Sequence, residues 1–231
     1  MDFIEGEILF IDKPLHWTSF RLVKVVRGKL RQKLKIKKLK VGHAGTLDPL
    51  ATGVMVVCTG KKTKQIERLM AESKEYVAEI KLGATTPSFD LETEVDNTFP
   101  FEHITKEMVQ ECLVNFIGEI EQVPPLFSAV KVEGKRAYEF ARKDEQIELK
   151  PKRLVIHDIE LLDYNLPTIT IRVSCGKGTY IRALARDIGA YLQSGAHLTA
   201  LTRTKSGEVT LTECLKVEEL DGFFDKHIQT D

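Results

Sequence analysis

VGHAGTLDPLATGVMVVCTG, residues Val41 to Gly60, is the stretch around which the chain is organised. Three glycines and one proline fall within about a dozen residues, and such a density disfavours any regular element. The apolar run that follows, Val54 to Cys58, predicts a buried strand. We therefore expect a shaped loop that leads into a core strand, an arrangement in which functional sites are often built.

Asp48 lies at the centre of this loop, where Pro49 confines its backbone to an extended conformation. His43 precedes it by five residues. By residue type alone, an aspartate before a proline is usually a turn residue. A single carboxylate among glycines can also act as a nucleophile or as an acid/base group.

Charge is balanced over the 231 residues, with 34 basic and 34 acidic side chains, so net charge does not indicate a partner. Its distribution is uneven, because the segment from Arg27 to Lys40 carries eight basic residues and no acidic one. A solvated helix face is one explanation, and an RNA-binding footprint is the other. A membrane surface fits less well, since no bulky aromatic residues interleave. The lysines we expect at an RNA backbone are Lys33, Lys35, Lys37 and Lys38.

Several classes of protein are disfavoured by what the sequence lacks. The four cysteines form no C-x-x-C pair, which disfavours a disulfide framework and fits a reducing cytoplasm. The histidines show no metal-ligand spacing, and no apolar run is long enough to span a membrane. Gly60 to Thr63 imitates the end of a P-loop but lacks its leading glycine, so we expect no nucleotide-triphosphate site.

Hydrophobic patterning predicts a mixed, largely antiparallel sheet with helices packed on it, an α+β fold. The strands are joined by several links too short for a helical crossover. Cys58 and Cys175 fall in strand-like runs and should be core residues. Thr18 or Ser19 and Thr105 are candidate helix caps. The predicted strands are Glu7–Asp12, Val54–Cys58, Tyr76–Leu82, Gly118–Val123, Ser128–Val132, Leu154–Leu162, Thr168–Cys175, His197–Arg203 and Glu208–Leu211. The predicted helices run from Thr18 or Ser19 to Leu34, from Ile66 to Met70, from Thr105 to Phe116, from Tyr138 to Arg142, from Ile181 to Leu192 and from about Val217.

A second glycine-bearing loop, Gly176 to Thr179, follows a strong strand and opens a helix that carries Arg182. Such a loop is either a tight turn or an anion site. Tyr76 and Tyr180 could stack on a flat ligand, although core packing is the commoner role of such tyrosines.

Five segments together resemble the TruB-type tRNA pseudouridine synthases. GHAGTLDPLATG resembles the signature loop of that family, and Lys13-Pro14 with Thr18-Ser19 resembles its early motif. The central, third and last motifs are matched by QVPPLFSAVKVEGKRAYEFAR at 122–142, GTYIRALARDIG at 178–189 and LTRTKSG at 201–207. These segments span nearly the whole chain in the order of the family.

The resemblance implies a pseudouridine synthase fold with a mixed, mostly antiparallel sheet, flanking helices and a central catalytic cleft. It implies that residues 1–231 form one catalytic domain without a C-terminal RNA-binding appendage. The activity would be conversion of uridine 55 in the T-arm of tRNA to pseudouridine after base flipping, by a cytoplasmic monomer that needs no cofactor or metal.

By the same resemblance, Asp48 would be the nucleophile, attacking either the base or the sugar. Tyr76 would stack on the target base and serve proton transfer, and Arg182 would pair with Asp48. His43 would fill the space left by the extruded base. The remaining substrate-binding positions would be Lys13, Tyr180 and Leu201.

The sequence also leaves two other functions open. One is a non-catalytic tRNA-binding or folding chaperone, which would not require Asp48, Tyr76 and Arg182. The other is an N-glycosidase, which would need a second carboxylate such as Asp187. The chain also departs from the family pattern at His16-Trp17, Lys143-Asp144 and Glu208-Val209.

Overall fold

The computed structural model describes residues 1–128, 130–132, 134–141, 145 and 147–228. The chain divides into two compact units, one of Met1–Tyr76 with Thr202–Asp231 and one of Val77–Leu201. Both β4 (Lys74–Leu82) and β12 (Ala196–Ser206) contain residues assigned to each unit.

In the first unit, the loop strand lies beside the N-terminal strand. β1 (Ile8–Lys13) pairs antiparallel with β3 (Ala51–Thr59), and β2 (Val41–His43) pairs antiparallel with the end of β3. The strand order continues from β3 to β12 and β4, with β13 (Val209–Thr210) on β12. A parallel bridge between Ile11 and Leu215 makes the pairing mixed.

β3 is buried along almost its whole length, which explains its continuous run of apolar residues. Val56 and Cys58 pack against Leu69 of α2 (Ile66–Ala71). Gly53 permits the neighbouring strand to approach, because a Cβ there would lie 2.2 Å from the Arg203 carbonyl oxygen. Gly53 also has a φ of +104°, a conformation that favours glycine.

α1 (Ser19–Lys33) buries an amphipathic stripe, as predicted. Thr18 caps it, since its side chain accepts a hydrogen bond from the Arg21 backbone N–H. α1 contacts α6 (Leu220–His227), and the side chains of Lys29 and Lys33 form ion pairs with Asp221 and Asp225. The acidic C-terminal helix therefore packs on the basic helix. The buried residues of α1 are Ser19, Leu22, Val23, Val26 and Leu30.

The second unit contains the strand order β12, β4, β11, β10, β7. β10 (Lys152–Asn165) pairs antiparallel with β11 (Thr168–Cys175) and with β7 (Gly118–Gln122). α3 (Lys106–Val114) is capped by Thr105, as predicted, and α5 (Ile181–Tyr191) follows β11. Two short ladders complete the unit: β5 (Ala84–Thr85) with β6 (Asn97–Thr98), and β8 (Lys131–Val132) with β9 (Lys135–Arg136).

The mixed, mostly antiparallel α+β fold is confirmed, and so is the burial of Cys58 and Cys175. α4 (Ala137–Ala141) corresponds to the helix predicted from Tyr138 to Arg142, although Arg142 and the neighbouring departure at Lys143-Asp144 lie outside the described residues. Ala129 and Glu133 of the central motif lie outside them as well. Of the strand predicted over Ser128–Val132, the last two residues form β8. Within the described residues, no helix has the length and apolar character needed to cross a membrane.

Candidate active site

Asp48 lies half-buried in the loop between β2 and β3. The loop is closed locally, because the Asp48 carbonyl accepts a hydrogen bond from Ala51 N–H at 3.1 Å. Residues that precede the loop in sequence also bond to it. The Ser19 hydroxyl bonds both the N–H and the carbonyl of Leu47, at 2.8 Å each, and His16 N–H donates to the Pro49 carbonyl at 2.8 Å. The residues on both sides of Asp48 are therefore fixed, one to the first residue of α1 and the other to the segment before it.

Lys13 is fully buried near this loop and supplies a positive charge. Its ammonium donates to the carbonyls of Pro14 at 2.9 Å and Trp17 at 2.6 Å. Burial lowers the pKa of Lys13 to about 8, and the nearby Asp48 carboxylate opposes that change. The structure thus brings Lys13 and Asp48 into one electrostatic environment. Lys13 contacts backbone carbonyls of its own unit, so its predicted substrate-binding role stays a prediction.

His43 ends β2 and is half-buried. Burial lowers its pKa below the ordinary value, and the charge of Arg203 lowers it further, whereas a hydrogen bond with the Gly45 backbone acts in the opposite direction. Burial and the Arg203 charge therefore both favour the uncharged imidazole, and the predicted role of His43 beside the extruded base stays a prediction. Tyr76, on β4 of the same unit, is buried with 9% of its surface exposed.

Arg203 is a buried residue of this unit that sequence reasoning did not single out. Its guanidinium donates to the Val54 carbonyl at 2.6 Å and to the Gly45 carbonyl at 3.3 Å. It therefore joins β12 to the start of the loop that carries Asp48 and to β3, the strand that follows this loop. Its position in the LTRTKSG motif was the available signal, but a charged residue in an alternating strand is ordinarily expected to face solvent.

In the second unit, Arg182 lies in the first turn of α5 and is 3% exposed. Its guanidinium donates to the carbonyls of Ser88 at 3.0 Å and Phe127 at 2.9 Å. The carboxylate of Asp90, itself buried, lies 3.6 Å from Nε. Asp90 was missed at the level of sequence, because its segment was predicted only as a loop. The predicted pairing of Arg182 with Asp48 stays a prediction.

Tyr180 is the N-cap of α5 and is fixed through its backbone. Its N–H donates to Gln122 Oε1 at 2.9 Å, and Gln122 Nε2 donates to its carbonyl at 3.2 Å. The first residue of the central motif therefore supports the third motif.

Leu201, on β12, is half-buried. Asp187 is paired with Arg186 at 2.7 Å, and burial raises its pKa.

The predicted RNA-binding lysines fall into two kinds. Lys35, Lys37 and Lys38 are exposed in the segment after α1. Lys33 is half-buried and forms an ion pair with Asp225, with an Asp221 oxygen at 4.0 Å. Its charge is therefore partly compensated within the protein, which the sequence did not indicate.

A cavity of about 350 Å³ lies elsewhere in the second unit, beside α5 and β5. None of the predicted site residues lines it. Its lining residues are Thr85, Phe99, Arg186, Gly189, Ala190, Gln193 and Gly195.

Comparison with known proteins identifies the class of protein to which this fold and this loop belong. A chain in the crystal structure of a Cbf5-Nop10-Gar1 complex is similar with a TM-score of 0.72 and 28% identity, over 98% of this chain and 58% of that chain. A protein of Parabacteroides distasonis named tRNA pseudouridine synthase B is 64% identical over 228 residues, which cover 99% of this chain and 97% of that protein. One of the same name from Phocaeicola vulgatus is 63% identical over 226 residues, which cover 98% and 96%.

The fold is that of the pseudouridine synthases. A family model described as TruB family pseudouridylate synthase (N terminal domain) matches residues 31–181. A second model, described as tRNA pseudouridylate synthase B C-terminal domain, matches residues 182–230. The chain belongs to the TruB family of pseudouridylate synthases, which are enzymes that act on RNA.

Proposed function

We propose that this chain isomerises uridine 55 in the T-arm of tRNA to pseudouridine, with Asp48 as the nucleophile. The observation that carries the proposal is the identity of 64% over 99% of the chain with a tRNA pseudouridine synthase B. The site supports it, because Asp48 is the carboxylate of a loop fixed on both sides by Ser19 and His16. A half-buried, held carboxylate can attack without first reorganising.

The reaction conserves all atoms of the substrate, so we propose that no metal or cofactor takes part. The bond between C1′ of the ribose and N1 of uracil breaks, the uracil turns, and C5 bonds to C1′. N1 gains a proton and C5 loses one. Tyr76 accepts or relays the C5 proton after stacking on the base, and Asp48 attacks either the base or the sugar.

The surrounding residues hold the substrate in the flipped state that this chemistry requires. The imidazole of His43 occupies the space left by the extruded base. Tyr180 and Leu201 line the base pocket, Lys13 adds positive charge beside Asp48, and Arg182 keeps the nucleophile ionised. Exposed lysines after α1 bind the T-arm phosphates.

We further propose that residues 1–231 act as a single catalytic domain, as a monomer, in the cytoplasm. The four cysteines are free thiols, three of them buried, which suits a reducing compartment. Size-exclusion chromatography with light scattering, with and without T-arm RNA, tests the monomer. A stable dimer in the absence of RNA would contradict it.

The test of the activity is incubation of the protein with unmodified tRNA, followed by detection of pseudouridine at position 55. Asp48→Asn should abolish product and keep tRNA affinity within about tenfold, because phosphate contacts dominate binding. Asp163→Asn, at an exposed position of β10, is the matched control and should retain activity. Turnover by Asp48→Asn would exclude this nucleophile. Absence of product from the unaltered protein, with RNA binding intact, would favour the chaperone function.

A further inference from the structure

An exposed aromatic and basic surface lies at the start of α1, next to the Asp48 loop. We name Trp17, Phe20, Arg21 and Lys24 the Trp17 surface. Phe20 is 67% exposed, and the Arg21 guanidinium lies over the indole of Trp17, 4.1 Å from the ring centroid. Lys24 is exposed one helical turn after Phe20, so both side chains lie on the same face.

Hydrogen bonds attach this surface to the candidate active site. Lys13 Nζ donates to the Trp17 carbonyl at 2.6 Å, and Lys13 lies in the electrostatic environment of Asp48. His16, before Trp17, bonds Pro49, and Ser19, two residues after Trp17, bonds Leu47. Pro49 and Leu47 are the neighbours of Asp48. His16 has a φ of 62°, a backbone conformation that glycine favours, and the chain turns directly before Trp17. The Trp17 surface is thus fixed in relation to the catalytic loop.

The chemistry of the Trp17 surface indicates a nucleotide rather than an apolar protein segment. Exposed apolar side chains that cluster mark interaction sites. Here the aromatic rings alternate with cations, and the sequence from Lys13 to Lys24 contains no acidic residue. Unpaired bases stack on aromatic rings and on guanidinium planes, while lysines bind the adjoining phosphates.

We propose that an unpaired nucleotide of the RNA substrate, close to the target uridine, binds on the Trp17 surface. Its base stacks on Phe20, and its phosphates pair with Arg21 and Lys24. The Trp17 indole holds the Arg21 guanidinium flat. This inference rests on the proposed function only in that the chain acts on an RNA with an unpaired loop.

The chain offers a direct probe of this surface, because Trp17 is its one tryptophan. Asp48→Asn protein, which should bind without turnover, is titrated with an unmodified T-arm stem-loop, and tryptophan fluorescence is followed. We expect a saturable change in emission that parallels binding measured independently by anisotropy of labelled RNA. A fully paired RNA hairpin of the same length with a minimal loop should give a much smaller change.

Substitutions at Phe20 test whether its ring stacks on a base, and a substitution at Tyr191 tests whether the loss of any exposed aromatic ring has the same effect. Phe20→Ala should weaken stem-loop binding about tenfold, in the range of one lost base–aromatic stack, and Phe20→Tyr should restore it. In the complete reaction, Phe20→Ala should raise KM and leave kcat within about twofold of the parent value. Tyr191→Ala removes another exposed aromatic residue, at the end of α5 and 48% exposed, and should change neither value.

The proposal is overturned if saturating stem-loop leaves the Trp17 emission unchanged. It is also overturned if Phe20→Ala binds the stem-loop as tightly as the parent protein, or if paired and unpaired RNA give the same signal. A protein that forms no pseudouridine but shows the expected fluorescence change would contradict the proposed function and leave this inference standing.

Discussion

The hydroxyl of Ser19 bonds both backbone groups of Leu47, accepting from its N–H and donating to its carbonyl, each at 2.8 Å. Ser19 is buried in the first turn of α1, and Leu47 directly precedes Asp48. The Ser19 side chain therefore fixes the backbone next to the candidate nucleophile against the packed helix α1. Hydrogen bonds of this kind hold a loop in one geometry without adding to the chemistry itself.

Removal of that hydroxyl should impair the reaction more than it impairs the fold. Ser19→Ala leaves two buried polar groups of Leu47 without their partner, which costs roughly 1–3 kcal/mol in unfolding free energy. We expect kcat for pseudouridine formation to fall as well, because Asp48 loses its fixed position. Urea denaturation and single-turnover kinetics measure the two effects.

Thr18→Ala is the matched control for Ser19→Ala. It removes the helix cap, which bonds the Arg21 N–H at 3.0 Å, and should cost roughly 1 kcal/mol. It leaves the Leu47 contacts intact, so kcat should stay near that of the parent. Equal kinetic losses in the two variants would show that Ser19 acts through stability alone.

The Asp90 carboxylate should be required for the position of Arg182. The two side chains are 7% and 4% exposed and 3.6 Å apart, so Asp90→Asn leaves a buried guanidinium with less compensation. The loss of one partner of a buried pair costs roughly 3–5 kcal/mol. We expect a large drop in thermal stability and in kcat. Asp96→Asn, at an exposed residue that accepts from Thr85, is the control and should have little effect on either.

The lysines after α1 should differ in their contribution to RNA binding. Lys35, Lys37 and Lys38 are exposed, whereas Lys33 is compensated by Asp225. Alanine at each exposed position should reduce the salt slope of tRNA affinity by about one. Lys33→Ala should reduce it less. An unchanged slope in the triple variant would indicate that this segment is only a solvated surface.

Lys13 should make stability rise with pH over a defined range. Burial lowers its pKa from 10.5 to about 8, so between these values the unfolded chain binds more protons than the native protein. Native stability relative to a Lys13→Met variant should then increase as pH rises from about 8 to 10.5, by at most roughly 3 kcal/mol. Urea denaturation at a series of pH values measures it.

Lys61→Met provides the opposite case for comparison. Lys61 is exposed, and its hydrogen bond with Glu5 raises its pKa. Any stability that it contributes should therefore be lost, not gained, as pH rises through that pKa. If the stability of the parent protein rises with pH by a similar amount relative to Lys13→Met and relative to Lys61→Met, the pH dependence does not come from Lys13.

The sequence by itself determined the local elements and the candidate nucleophile. The period of apolar residues predicted α1 and β4, and Thr105 was correctly predicted as a cap, because these features depend on neighbours along the chain. Glycines around Asp48 marked a loop for the same reason. The motif segments indicated the family because their order and spacing are properties of the sequence itself.

Only the tertiary structure decided which distant groups meet. The contact of Ser19 with Leu47 and the compensation of Lys33 by Asp225 join residues far apart in sequence. The burial of Lys13 and Arg203 could not be expected from their type, since charged side chains ordinarily stay in water. Hydrogen bonds to backbone carbonyls of loops and of β3 offset the cost of that burial, and the fold alone brings such carbonyls to one place.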